Sequence, residues 1–199
     1  MHCVHVTDAE IDLLAETGTT VVHCPKSNLK LGSGIAPIPK MLRRGVTVAL
    51  AADGAASNDT LDMFEEMRFA ALLHKGVNED PTIITAAQAF AMATAGGARA
   101  AGLTDEHRPG GALDPGRLAD LALIRLDRPH LLPLHDPINT LVYCAKASDV
   151  DTTIIGGEIV MQAGVIQTVD EVAARETAQA YGARLYREGV ALWKEVSPS

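Results

Sequence analysis

Aromatic residues are scarce in this 199-residue chain: three Phe, three Tyr and one Trp make up 4% of it. So few rings leave little surface on which bases could stack. Basic residues are in deficit as well, 17 against 25 acidic ones, for a formal net charge of −8. Nucleic acid is therefore not an expected partner. Cysteine is limited to Cys3, Cys24 and Cys144, an odd and scattered set that argues against a disulfide framework. No apolar run reaches the roughly 20 residues of a membrane span. The N-terminus lacks a basic stretch followed by an apolar one. The expectation is a soluble, cytoplasmic protein with no membrane partner. The spacings HxH, HExxH and CxxC do not occur, so no closed zinc site can be read from spacing alone.

What the chain does have is 47% apolar residues and enough length to bury a core in one or two domains. Thr7 and Glu10 are spaced as a capping box before a helix over Asp8–Thr17. Residues 19–23 (TTVVH) read as a short β-branched strand, and PKSNLKLGSGIAP as a loop. A short helix over 37–44 ends at Gly45, and Val46–Leu50 reads as the next strand. The spacing is that of parallel βα units, with Cys3–Val6 as the first strand. Helices are expected from near Thr60 through His74, over Thr85–Ala101, and over Asp170–Val196. The last carries Ala178, Tyr181, Leu185, Leu192 and Val196 on one face, with Trp193 anchoring it to the body. Between them lies a β-rich stretch in which Gly156-Gly157 predicts a tight hairpin.

Asp53 is the leading chemical candidate, a lone carboxylate at the exit of the strand Val46–Leu50. Loops at the carboxyl ends of parallel strands are where sites cluster. The bland reading is a helix N-cap or a turn carboxylate bonded to backbone N–H groups. A lone histidine such as His2 is by itself more often structural. On a strand, His2 and His5 would face opposite ways and could not share a metal, and His23 and Cys24 would likewise point apart. Cys24 and Cys144 read as small buried hydrophobes, and His74, His107, His130 and His135 as surface or loop residues. Glu65 and Arg68 are spaced as a helix-surface pair.

Four motifs occur in order: HCVH (residues 2–5), HCPxSNxKLxSG (23–34), DGAASNxxLDM (53–63) and PGxxADL (115–121). Together they resemble the C-terminal half of the metal-dependent amidohydrolase superfamily. The nearest branch holds the 5-methylthioadenosine/S-adenosylhomocysteine deaminases and the triazine and chloro-hydrolases. The resemblance implies an α/β fold. Residues 1–106 would be about strands six to eight of a (β/α)8 TIM-type barrel. Residues 107–199 would be part of a small β-sandwich with a C-terminal helix. It implies that Asp53 binds a catalytic divalent metal, zinc before others, and takes a proton from the attacking water. It further implies that His2 hydrogen-bonds the substrate or that water, and that Ser57 and Asn58 border the substrate. The partner would be a small purine or related heterocycle, and the reaction hydrolytic removal of its amino group.

The departures from the family pattern are equally specific. The histidine ligands of the first and fifth barrel strands are expected upstream of Met1. Ala51-Ala52 replaces a Gly-Thr pair, and Asp59 stands where a second Asn is common. The alternative reading is therefore a catalytically incomplete piece, or a subunit that needs an N-terminal partner chain. A partial barrel would leave strand edges and apolar interior uncovered. The isolated chain is expected to form oligomers or to be poorly stable. Sedimentation at micromolar concentration tests this, and a monodisperse, cooperatively melting monomer would refute it.

Overall fold

The computed structural model describes residues 1–104 and 110–196. Helix α1 (Asp8–Glu16) starts at the expected capping box. Thr7 N–H donates to Glu10 Oε2 at 2.7 Å, and Glu10 N–H donates to Thr7 Oγ1 at 3.3 Å. Such a cap contributes about 1 kcal/mol. Strand β1 (Val21–His23) follows, then α2 (Pro25–Lys30), α3 (Ile38–Arg43) and strand β2 (Val48–Leu50). The two strands are parallel, with Val21 opposite Val48 and His23 opposite Leu50. Helix α4 (Ala55–Asn58) and the long α5 (Met63–Asn78) come next. Asp62, rather than a residue near Thr60, caps α5 by accepting from Phe64 N–H at 2.8 Å.

Two expectations fail here. Cys3–Val6 is not a strand. His2 and Cys3 take left-handed φ values of 65° and 49°, which a strand ladder does not accommodate, and a turn follows at Val4-His5. His2 instead gives a single backbone bond, N–H to Val22 O at 2.9 Å. The stretch read as a loop contains α2. Its proline sits in the first helical turn, where the missing N–H costs nothing and the fixed φ suits a helix.

Helix α6 (Ala86–Ala91) opens on a second capping box, Thr85 with Gln88. It runs through a π-helical turn, Met92–Gly96, into α7 (Gly97–Ala100). The π-turn presses on β2: a Cβ on Gly96 would lie 2.5 Å from Val48 O. The core collects Ile11, Val21, Ile38, Met41, Val48, Leu50, Met67 and Ile84 between the parallel strands and these helices. Each such side chain contributes roughly 1.5–3 kcal/mol on burial. Helix α8 (Pro137–Tyr143), although late in sequence, packs on α5 and α6. Arg68 fixes it by donating to Tyr143 O at 2.9 Å and Ala145 O at 2.6 Å. Arg68 thus does not pair with Glu65, whose carboxylate meets Lys26.

A separate antiparallel sheet is formed by β3 (Leu121–Ile124), β4 (Val150–Ile155), β5 (Glu158–Gln162) and β6 (Val165–Ile166), in that order. The hairpin joining β4 and β5 turns at Gly156-Gly157, with φ of 58° and 85°, as the glycine pair predicts. Helix α9 (Glu171–Val196) has its described side chains exposed through Trp193. Trp193 is 72% exposed, so it anchors nothing in this chain. Cys24 is buried as expected and Cys144 is exposed. His130 and His135 lie on the surface, whereas His74 is buried; His107 falls outside the described residues.

Gly96→Ala is expected to destabilise the fold by about 1–3 kcal/mol, because the new methyl must displace a strand carbonyl. Gly97→Ala, which meets nothing within 4 Å, is expected to be neutral or mildly stabilising. Urea midpoints of the two variants check the contrast.

Candidate active site

The parallel pairing of β1 and β2 sets the carboxyl ends of both strands side by side, and two connections carry the polar groups there. Asp53 follows β2 by three residues and takes φ of 63°. Aspartate is among the few L-residues that enter this left-handed region readily. Its Oδ2 accepts from Ser27 Oγ at 2.7 Å and from Ser57 Oγ at 2.9 Å. The Ser27 hydroxyl foremost, then that of Ser57 and the Gly54 backbone N–H, hold the carboxyl below the usual carboxylate range. Asp53 is thereby kept anionic.

His2 lies across from it. His2 Nε2 is 3.8 Å from Asp53 Oδ2, and His2 Nδ1 is 2.8 Å from Asn28 Oδ1. Both side chains are partly open to solvent. They border a depression of about 430 Å³ lined also by Val4, His5, Ser27, Asn28, Leu31 and Ser33. Because residues 2–5 turn, His2 and His5 line the same depression, contrary to the strand-alternation argument. His5 Nε2 is engaged 3.0 Å from Ser33 O.

Ser57 stands beside Asp53, its hydroxyl also 3.0 Å from Gly54 O, behind rather than among the residues that line the depression. Asn58 does not border the depression. It is fully buried, gives its amide to Glu66 Oε1 at 2.6 Å and accepts from Leu61 N–H at 3.1 Å. Burial raises the Glu66 carboxyl, and Asn58 is the donor that offsets its loss of water. Position 58 is thus a brace between α4 and α5. Ser27 and Asn28, which stand in the HCPxSNxKLxSG motif without an assigned role, belong to the site as well. Once α2 is recognised, both fall at its centre, next to the strand ends.

Behind the site, His23 is buried on β1 with its Nε2 3.4 Å from His74 Nε2 on α5. Burial first, then the neighbouring His74 and His2, pushes His23 down to about 3. Burial pushes His74 down to about 4. Burial, reinforced by Asp53 and Glu66, pushes the Cys24 thiol up to about 11, so it is not a ready nucleophile. Among the described residues no group of three or more His, Cys, Asp or Glu side chains could hold a metal ion. Asp53 is suited to be one ligand: it is anionic, and its Oδ1 accepts no side-chain hydrogen bond. It cannot close a site alone.

Residues 1–160 match the amidohydrolase family, and the chain belongs to that family. The 5-methylthioadenosine/S-adenosylhomocysteine deaminase of Acetivibrio thermocellus is 48% identical over 186 residues, covering 94% of this chain and 42% of that protein. An adenosine deaminase from Xanthomonas campestris, solved with bound zinc, superposes with a TM-score of 0.88 at 39% identity. The match covers 94% of this chain and 42% of that one. Atrazine chlorohydrolase from Arthrobacter aurescens, complexed with zinc, gives a TM-score of 0.79 at 31% identity, covering 89% of this chain and 39% of that one. The chain therefore spans about two fifths of the length of these relatives. Among the described residues no helix is long and apolar enough to cross a membrane.

The buried histidines make stability depend on pH. Unfolded, each takes up a proton near the ordinary value of 6.5; folded, neither does so until about 4 or 3. Their stabilising effect is fully present above 6.5 and is lost as pH falls, by up to about 1.4 kcal/mol per pH unit for each histidine. Denaturant unfolding between pH 7 and 4.5 is expected to show this decline. His74→Gln is expected to flatten it, and an unchanged slope in that variant would contradict the assignment.

Proposed function

We propose that this chain supplies one wall of the active site of a metal-dependent hydrolase that removes the amino group of a purine nucleoside. 5-Methylthioadenosine and S-adenosylhomocysteine are the first candidates. The observation that carries the reading is the meeting of Asp53 and His2 at 3.8 Å over a solvent-reached depression. The names of the chain's relatives as deaminases support the substrate class. In this reading residues 1–106 contribute part of a (β/α)8 barrel and residues 107–199 part of a small β-sandwich with its terminal helix. Helix α8 is the exception, since it packs back on the first part.

Asp53 would be one ligand of a divalent cation, zinc by the precedent of the related structures. The other ligands would come from residues beyond those described. Such a cation, when bound, lowers the pKa of water toward neutrality. The chain's own residues divide the remaining work. Ser27 and Ser57 occupy Asp53 Oδ2, which leaves Oδ1 to accept the proton of the attacking water and pass it to the leaving amine. The new C–O bond forms at the ring carbon as the C–N bond breaks, and ammonia departs. His2 Nε2 accepts a hydrogen bond from the water or the purine and so orients it. Ser57 would act on the substrate through the carboxylate it holds.

A second reading has its own support. Among the described residues no three His, Cys, Asp or Glu side chains come together around Asp53 and His2, so the chain by itself is an incomplete metal site. It would then be a piece or a subunit that works only with an N-terminal segment. The two readings are compatible, and one experiment addresses both. With zinc and either nucleoside, the chain alone is expected to release no ammonia. Joined to an upstream segment carrying the missing ligands it is expected to do so, and Asp53→Asn is expected to lower kcat by about 10²–10⁴-fold. Stoichiometric zinc retained by the chain alone would overturn the incomplete-site reading. A joined enzyme that deaminates guanine but neither nucleoside, or is indifferent to Asp53→Asn, would overturn the first.

A further inference from the structure

We infer that Asn28 is a positioning residue that fixes the tautomer of His2, so that Nδ1 carries the proton and Nε2 presents a lone pair toward Asp53. The inference deepens the proposed function, because it depends on that reading for its consequence though not for its geometry. Asn28 is almost wholly buried on α2, and its Oδ1 lies 2.8 Å from His2 Nδ1. An amide oxygen only accepts hydrogen bonds, so the ring nitrogen facing it must donate. Neutral imidazole has one N–H, and Nε2 is then an acceptor.

Two further observations point the same way. His2 Nε2 and Asp53 Oδ2 are 3.8 Å apart, beyond hydrogen-bond distance. A protonated Nε2 would be drawn toward the carboxylate, and the His–Asp pair would close on itself. Oδ2 already accepts from Ser27 and Ser57, so an unprotonated Nε2 faces no donor there and keeps its lone pair open to one from the depression, such as water or an amine. The other observation is a cost. Asn28 Nδ2 is buried with no partner, although buried polar atoms are nearly always paired. An apolar side chain of the same size would fill position 28 without that penalty. The carbonyl is the part of Asn28 that bonds a neighbour, and that neighbour is the candidate catalytic histidine. Ser27, the preceding residue on the same helix, bonds Asp53. One short helix thus sets the geometry of both groups.

The test reads ring nitrogens directly. In the 199-residue chain labelled with [15N]histidine, at about pH 8.5 where imidazole is neutral, long-range proton–nitrogen correlation distinguishes the two tautomers. His2→Gln assigns the signal. His2 is expected to be a single tautomer protonated at Nδ1. Asn28→Leu, similar in size but without an acceptor, is expected to release it to a mixture or to the Nε2-protonated form. Asn28→Asp, which keeps an acceptor oxygen, is expected to restore the single tautomer. A wild-type His2 protonated at Nε2, or already a mixture, overturns the inference whether or not the Leu variant folds. So does an Asn28→Leu chain whose tautomer is unchanged. A fixed Nδ1 tautomer in a protein that, joined to its missing ligands, shows no deaminase activity would instead refute the functional reading and leave this one standing.

Discussion

Three residues of parallel pairing between β1 and β2 decide where everything else in the site can be. That ladder aligns His23 with Leu50, so the chain leaving each strand emerges at the same edge. From one strand it leads into α2, with Ser27 and Asn28; from the other it leads to Asp53. His2 is attached to the same strand by its backbone bond to Val22. The helices behind the strands, and the close contact of the π-turn with Val48, keep this small ladder in place. Three residue pairs would be marginal without that cover.

The electrostatics of the site follow from which groups are left in contact with water. Asp53 and His2 reach solvent, and the carboxylate is stabilised as an anion by neutral hydroxyls rather than by a cation. Among the described residues no lysine or arginine pairs with it and His2 is its one basic neighbour, at 3.8 Å, which leaves its charge available to a metal or a proton. One layer deeper, His23, His74 and Glu66 are all buried, and burial pushes each toward its uncharged form. The two buried histidines beneath the exposed anion put no positive charge against it, so they do not compete for its ligand.

Much of this was legible in the residues alone. The Thr7–Glu10 capping box, the glycine hairpin and the position of Asp53 after a buried strand follow from local chemistry that tertiary packing did not override. The misses have specific causes. Cys3–Val6 has strand composition, yet the left-handed φ of His2 and Cys3 is set by their surroundings. That error carried with it the conclusion that His2 and His5 face apart. PKSNLK reads as a loop because Ser and Asn favour turns, but here their side chains bond to Asp53 and His2 and leave the backbone free to coil. His74 and Asn58 are polar and by type belong near water; each is buried against a specific partner, His23 or Glu66. Burial of polar groups depends on contacts between distant parts of the chain, and a single sequence does not display those.

One oxygen atom has a mechanical consequence. Oδ2 of Asp53 takes hydroxyl protons from two different connections, Ser27 from the segment after β1 and Ser57 from the segment after β2. The carboxylate is therefore a pin between the two stretches, which Lys30 also ties together at the surface through Ala56 O and Asp59. Anything that draws Asp53 toward the depression pulls both stretches with it, so the rim of the depression would tighten as a unit.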